Sequence, residues 1–353
     1  MPQDYIKLYS ANSEPDCAYF LSSGLVYYYA SNVDKYAIKG QNLIVGSTEL
    51  IMNNLLSEKT ARIETAVALK DSSIKRIPCD KFLSSMNSFS FLFNASIVLA
   101  KQVLLTNKII NKNMDILDGQ DKLLKEYSIK YYRAVNLLSR EYDKRKMPWI
   151  NEILKKHSGS LNYKRGEAFS RSQESITVEA TAQLSDRMIE YPRGSVICEE
   201  NTTGEEMYIL QTGSIDVEIG GNRVATIDRA GTVFGEMAIL LNEKRTATLR
   251  AKNNAVLTVI RKNELKDVYE KQNDILKNIT VSLAQRHYYN LIKISSVNKS
   301  LIDQTLDSEE GDDKKAGQVE KLKIDLGKLK SELSDAVFKK KADFLQPVID
   351  ECG

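Results

Sequence analysis

The chain repeats itself, and that limits what it can fold into. "AYFLSSGLVYYYA" (Ala18–Ala30) and "MYILQTGSIDVEI" (Met207–Ile219) share Tyr19/Tyr208, Leu21/Leu210 and Gly24/Gly213 at an offset of 208 − 19 = 189. The register runs without a gap through Ile38/Ile227 to Gly46/Gly235. It then changes to 183, carried by Arg62/Arg245, Thr65/Thr248, Ala68/Ala251, Ile77/Ile260, Val98/Val281, Gln102/Gln285, Asn107/Asn290 and Ile109/Ile292. The first copy therefore has six extra residues (189 − 183) between its glycine and its arginine. Two long registers with Tyr-x-Leu-x-x-Gly in both mark a duplicated unit.

Each copy reads as short strands followed by helix. In the second copy, apolar and polar residues alternate in short runs punctuated by "PRG", "TTG", "QTG", "IGGN" and "RAG". Such runs predict strands joined by tight turns, as in a jelly roll or small barrel. From about Lys262 the pattern turns helical, with Ile275, Ile279 and Leu283 at i, i+4 and i+8.

The segment between the copies, about 112–172, is charged and helical in pattern. Tyr127, Tyr131, Ala134, Leu137 and Leu138 form a stripe, and Trp149 follows Pro148 near its end. A partner-binding helical module and a packing linker both fit. "DSEEGDDKKAGQ" predicts a flexible linker. Beyond it, Val319, Leu322, Leu326, Leu329, Leu333 and Ala336 are spaced 3, 4, 3, 4, 3, an a/d pattern that suits a docking helix or a self-associating coiled coil.

Composition excludes several classes of function. A formal charge of +3 over 353 residues gives no basic field for nucleic acid or membrane. No run approaches the roughly 18–20 apolar residues that a membrane span needs. "MPQDYIKLYS" has an early acid and no apolar stretch, so a signal peptide is not expected and a cytoplasmic location is. Cys17, Cys79, Cys198 and Cys352 are scattered; Cys79 and Cys198 read as small residues at strand ends. With His157 and His287 as the histidines, a zinc site or a histidine-based triad has little to work with.

The most informative stretch is "FGEMAILLNEKRTAT", Phe234–Thr248. A helix entered through Gly235 offers free backbone N–H groups, which suit a phosphate. Arg245 supplies a planar fork for two phosphate oxygens. Gly235, Ala238 and Ala247 leave room near the backbone. Glu236 would repel phosphate, yet suits a ribose hydroxyl on the same ligand. A surface Glu–Arg pair in a strand–turn–helix segment is the plain alternative.

The order of strand, "PRG", "TTGEEMYILQTG", "FGE", a ten-residue step from glycine to arginine, "RTAT", strand and helix resembles the cyclic nucleotide-binding domain family. The resemblance covers about Gln183–Ser296 in full and about Asp4–Lys112 as a weaker copy. It implies an α+β fold with two β jelly-roll domains, each followed by helices and joined by a helical linker, as in regulatory subunits of cyclic nucleotide-dependent kinases. It implies that Glu236 holds the ribose 2′-hydroxyl and Arg245 the cyclic phosphate. Backbone groups of Gly235, Met237, Ala238 and Ala247 would line the site, with Thr246 near a guanine amino group in members selective for cGMP. His287, Tyr288 and Tyr289 become candidates for covering the base. The regulatory ligand expected is cAMP or cGMP, with no metal.

The first copy departs from this pattern. Ser47 stands at the place of Glu236, six residues intervene before Arg62, and "PRG" has no counterpart, since Pro192 and Gly194 fall on Gln3 and Tyr5. It is expected to be a structural or regulatory pseudo-domain whose Arg62 is left to some other anion. The expected organisation is a degenerate domain over 1–112, a helical linker over 113–172, the cyclic nucleotide-binding domain over 173–297, a flexible linker over 298–318 and a short amphipathic helix over 319–353.

The function these features imply is a non-enzymatic sensor of cAMP or cGMP. Its C-terminal helices would change contact with a protein partner, which would dock on the C-terminal helix or the helical linker, or would change contact between the copies. Self-association is left open. A transcription regulator of the catabolite activator type is the alternative, but the tail shows no second helix-turn-helix and its acidic segment is a poor neighbour for DNA. A regulatory subunit of a separate catalytic protein also fits, although no pseudosubstrate-like Arg-Arg segment opens the chain.

Overall fold

In the computed structural model, residues 5–117, 119–170, 176–177, 186–306 and 309–352 are described. The first copy runs β1 (Tyr5–Tyr9), β2 (Cys17–Tyr29), β3 (Lys35–Val45), α1 (Thr48–Leu55), β4 (Thr65–Leu69), β5 (Ser73–Pro78), α2 (Cys79–Ser85) and α3 (Phe89–Ile116). Then come α4 (Gly119–Arg145), α5 (Pro148–His157) and α6 (Leu161–Ser170). The second copy runs β6 (Ile176–Thr177), β7 (Met188–Tyr191), β8 (Val196–Cys198), β9 (Glu206–Thr212), β10 (Ile215–Ile219), β11 (Asn222–Ile227), β12 (Thr232–Phe234), α7 (Glu236–Leu241), β13 (Thr248–Ala251), β14 (Ala255–Arg261), α8 (Leu265–Lys271) and α9 (Asp274–Leu306). The chain closes with α10 (Glu309–Lys340) and α11 (Gln346–Glu351).

The duplication holds element by element. An offset of 189 carries β2 onto β9 and β10, and β3 onto β11 and β12; an offset of 183 carries β4 onto β13, β5 onto β14 and α3 onto α9. The second copy forms two antiparallel sheets, ordered β11-β10-β13-β8 and β6-β12-β9-β14-β7. In the first copy the strands form one antiparallel sheet, ordered β1-β4-β2-β3 with β5 also on the long β2. Its start, Cys17–Ser23, pairs with β5, and its end, Val26–Tyr29, pairs with β4. Gly24, with φ +139°, sits between these halves, as Gly213 sits between β9 and β10.

The chain divides into two compact units. One joins both copies, Met1–Thr106 with Glu174–Tyr288; the other is Asn107–Gln173 with Tyr289–Gly353. In the first unit the two copies share one core. Leu50, Ile51, Leu92 and Leu99 of the first pack with Ile239, Leu240, Ile279 and Leu283 of the second. Helix α3 is long and apolar enough to cross a membrane by length and composition, contrary to the sequence reading, because a few polar residues interrupt the run without lowering its average much. Half of that window is buried within the protein, as in a core helix.

In the second unit, Val319, Leu322, Leu326, Leu329, Leu333 and Ala336 are all buried. The leucines join Tyr131, Ala134, Leu138, Ile150 and Leu154 in a single core, with Trp149 packed half-buried at its margin. The a/d stripe is thus consumed within the chain, and neither an external partner nor a coiled coil is needed to cover it. Residues 298–318 differ from the flexible connection expected of them. Among the described residues, 298–306 carry the end of α9 and 309–318 the start of α10, consistent with their Glu, Lys, Asp, Ala and Gln content, most of which favours helix. Residues 173–185, apart from Ile176 and Thr177, lie outside the described residues, so the expected start of the second domain near 173 lies there too.

Candidate nucleotide site

The second copy builds its site around Arg245. β12 ends at Phe234, Gly235 turns the chain at φ +79°, and α7 begins at Glu236. Gly235 is required twice over: by that left-handed backbone, and because a Cβ there would sit 2.6 Å from Arg245 Nη1. The backbone of Arg245 is fixed by its neighbours, its N–H donating to Thr202 O and its carbonyl accepting from Asn201 N, both at 2.8 Å.

The buried guanidinium donates from Nη1 to Gly235 O at 3.1 Å and from Nη2 to Glu206 O at 2.5 Å. The Tyr208 ring lies 5.4 Å from Cζ. The buried Nε has no hydrogen-bond partner among the described residues. Gly204 allows this packing, since a Cβ there would approach Ala238 Cβ to 2.3 Å and Arg245 Cζ to 3.1 Å. A buried cation held by carbonyls, with an N–H still to satisfy and small residues on two sides, fits an anionic group.

Glu236 is buried, and it pairs with Arg286 of α9 at 3.1 Å rather than with Arg245. The acid that begins the cassette helix is therefore tied to the long C-terminal helix. Ala238 is buried, Met237 and Ala247 are half-buried, and Thr246 is exposed. A cavity of about 780 Å³ has Arg245 in its wall with Cys198, Thr202, Glu206, Tyr208 and Arg261. The other predicted ligand residues, Gly235, Glu236, Met237, Ala238, Thr246 and Ala247, do not line it.

His287 does not cover this site. It is fully buried against the first copy, with Nε2 at 3.0 Å from Tyr36 Oη of β3 and Nδ1 at 2.8 Å from Thr48 Oγ1 of α1. Tyr36 donates to Glu64 at 2.6 Å, and Gln102 of α3 donates to Tyr36 and Glu64 at 3.2 and 3.1 Å. One assignment of protons satisfies these contacts: His287 donates from Nε2 to Tyr36 and accepts from Thr48 at Nδ1. Burial pushes Glu64 up to about 8 and His287 down to about 3, so both are neutral at pH 7. Successive helix residues lie about 100° apart, so Arg286 and His287 face opposite partners. Tyr288, half-buried, is likewise absent from the cavity wall.

Arg286 escaped the sequence reading, yet comparing the copies exposes it. Position 286 − 183 = 103 holds Val103. The copy with an acid at 236 has arginine on its helix; the copy with Ser47 has valine.

Residues 188–272 match the cyclic nucleotide-binding domain model. The chain is similar to a cGMP-dependent protein kinase of Toxoplasma gondii, 30% identical over 157 residues that make up 42% of this chain and 16% of that protein. It is also similar to a cAMP-dependent protein kinase regulatory subunit of Mucor circinelloides f. lusitanicus, 31% identical over 95 residues, 27% of this chain and 22% of that protein. The chain thus spans about a fifth of the length of the curated relatives it matches. The solved regulatory domain of Toxoplasma gondii PKA with cAMP matches 78% of this chain and 83% of its own at 16% identity, with a TM-score of 0.23, too low to add to the fold described above. The cassette around Arg245 and the family match coincide in one stretch, and the second copy of this chain belongs to the cyclic nucleotide-binding domain family.

Proposed function

We propose that the protein is a non-enzymatic cyclic nucleotide sensor whose second copy binds the ligand and whose α9 carries the response. Arg245 would take the cyclic phosphate, satisfying its Nε, and Glu236 would accept the ribose 2′-hydroxyl. The observation that carries the reading is the pair of neighbours on α9: Arg286 holds Glu236 of the site, and His287 is seated in the first copy. Any change in the partners of Glu236 changes what holds α9, and α9 cannot move without disturbing the network of Tyr36, Glu64 and Gln102. A ligand that favours one position of α9 thereby shifts the contact between the copies. Regulation of a separate protein through the surface so altered is the expected output, in keeping with the kinase regulatory subunits among the relatives.

Calorimetry with cAMP and with cGMP tests this, and also decides between the two nucleotides. Binding of at least one is expected; silence from both at millimolar concentration would overturn the reading. Arg245→Ala should weaken binding ten- to a hundred-fold, the worth of charge-assisted bonds of about 1.5–3 kcal/mol.

A further inference from the structure

The first copy keeps the arginine frame of the second in detail. Arg62 donates from Nη1 to Gly46 O at 2.8 Å and from Nη2 to Cys17 O at 2.5 Å. These carbonyls are the counterparts of Gly235 and Glu206, since 46 + 189 = 235 and 17 + 189 = 206. Gly46 and Gly235 also share the left-handed turn, at φ +75° and +79°. What differs is the space beside the arginine.

Ala238 and Ala247, two of the small residues predicted to line the second site, have Glu49 (49 + 189 = 238) and Glu64 (64 + 183 = 247) as their counterparts. Glu49 Oε2 lies 2.9 Å from Arg62 Nη1, and its Oε1 accepts the Ile63 N–H at 3.2 Å. The two side chains are 1% and 2% exposed. The Tyr9 ring covers the guanidinium at 4.3 Å. Glu64 is taken up by Tyr36 and Gln102. Meanwhile Ser47, at the place of the ribose acid, is buried with Oγ unpartnered among the described residues.

We propose that Glu49 is a built-in anion for Arg62: the first copy is a self-occupied site, closed to external oxyanions, in which a carboxylate of the protein stands where the second copy has the small Ala238. The acid of the cassette helix stands two positions further along than in the second copy, at Glu49 rather than at Ser47, the counterpart of Glu236. This inference concerns the first copy alone and does not depend on what the second binds.

Thermal unfolding of the full chain with inorganic phosphate tests it. Glu49→Ala, which installs the counterpart of Ala238, should lower Tm by roughly 5–15 °C, because a buried charge loses its partner. Phosphate at tens of millimolar should then raise Tm by several degrees more than it raises wild type, and Glu49→Ala/Arg62→Met should lose that extra response. An unchanged Tm in Glu49→Ala, or an equal phosphate response in the double variant, would overturn the proposal. A second measurement needs no change at Glu49. In Arg245→Ala, calorimetry with phosphate should detect no site; binding that Arg62→Met then abolishes would mean that the first copy is open.

Discussion

The two copies hold their arginines with the same pair of carbonyls, yet one arginine is sealed and the other is poised. Arg62 has Glu49 as counter-ion; burial opposes its charge, and Glu49 together with Tyr9 and Cys17 raises its pKa above the ordinary value. Arg245 has two carbonyls and an aromatic face, as Arg62 does, but no carboxylate; the buried Nε of each is without a hydrogen-bond partner among the described residues. The difference teaches how a duplicated domain changes its task without changing its frame. Around the two arginines, Ala238 and Ala247 of the second copy face Glu49 and Glu64 of the first in the aligned sequence, and Glu236 faces Ser47.

The comparison is broken most directly at the arginines. Arg62→Ala strands the buried Glu49 and should cost about 3–5 kcal/mol in urea unfolding. Arg245→Ala leaves only carbonyls behind and should cost about 1–2 kcal/mol. Equal losses would mean that the two frames are energetically alike.

Next in size is Gly204→Ala. Its Cβ would press on Ala238 Cβ, itself fixed to the α7 backbone, so a loss of about 1–3 kcal/mol is expected together with weakened nucleotide binding. A variant of unchanged stability and affinity would show that the cassette tolerates expansion and that the small residues are not its defining feature.

A smaller effect on affinity, within about tenfold, is expected of Arg286→Leu, which frees Glu236 from α9. Its signature lies in hydrogen exchange: ligand should alter protection of first-copy amides near Tyr36 in wild type and not in this variant. A ligand response in the first copy that survives the substitution would exclude Arg286 as the connection.

The most delicate test is pH. Folding raises Glu64 from 4.5 to about 8 and lowers His287 from 6.5 to about 3. The raised group stabilises the fold at low pH and loses that contribution as pH climbs to about 8; the lowered group stabilises it above 6.5 and loses its contribution as pH falls to about 3. Between 4.5 and 6.5 the proton changes cancel for this pair, and they leave a loss on either side. In its own stability profile, Glu64→Gln should lack the alkaline limb and show the acid limb beginning near 6.5, and its difference from wild type should change between 4.5 and about 8. Identical profiles would mean that Glu64 is charged in the folded chain.

The sequence alone determined the duplication, the strand-then-helix order of each copy and the cassette from Phe234 to Thr248, because these are written as local patterns: period-two alternation, glycines that must turn, and fixed spacings between copies. It also marked the first copy as altered at Ser47. Only the tertiary structure decided where side chains separated by tens or hundreds of residues meet. It gave Glu236 to Arg286, seated His287 among Tyr36, Thr48 and Glu64 of the other copy, and turned the leucines of α10 onto α4 and α5. A heptad says that a helix has an apolar face, and a histidine on a helix says that it faces something. Which surface is met depends on how the elements close over the core, and that closure sets whether an acid meets an arginine, as Glu49 does, or a tyrosine and an amide, as Glu64 does.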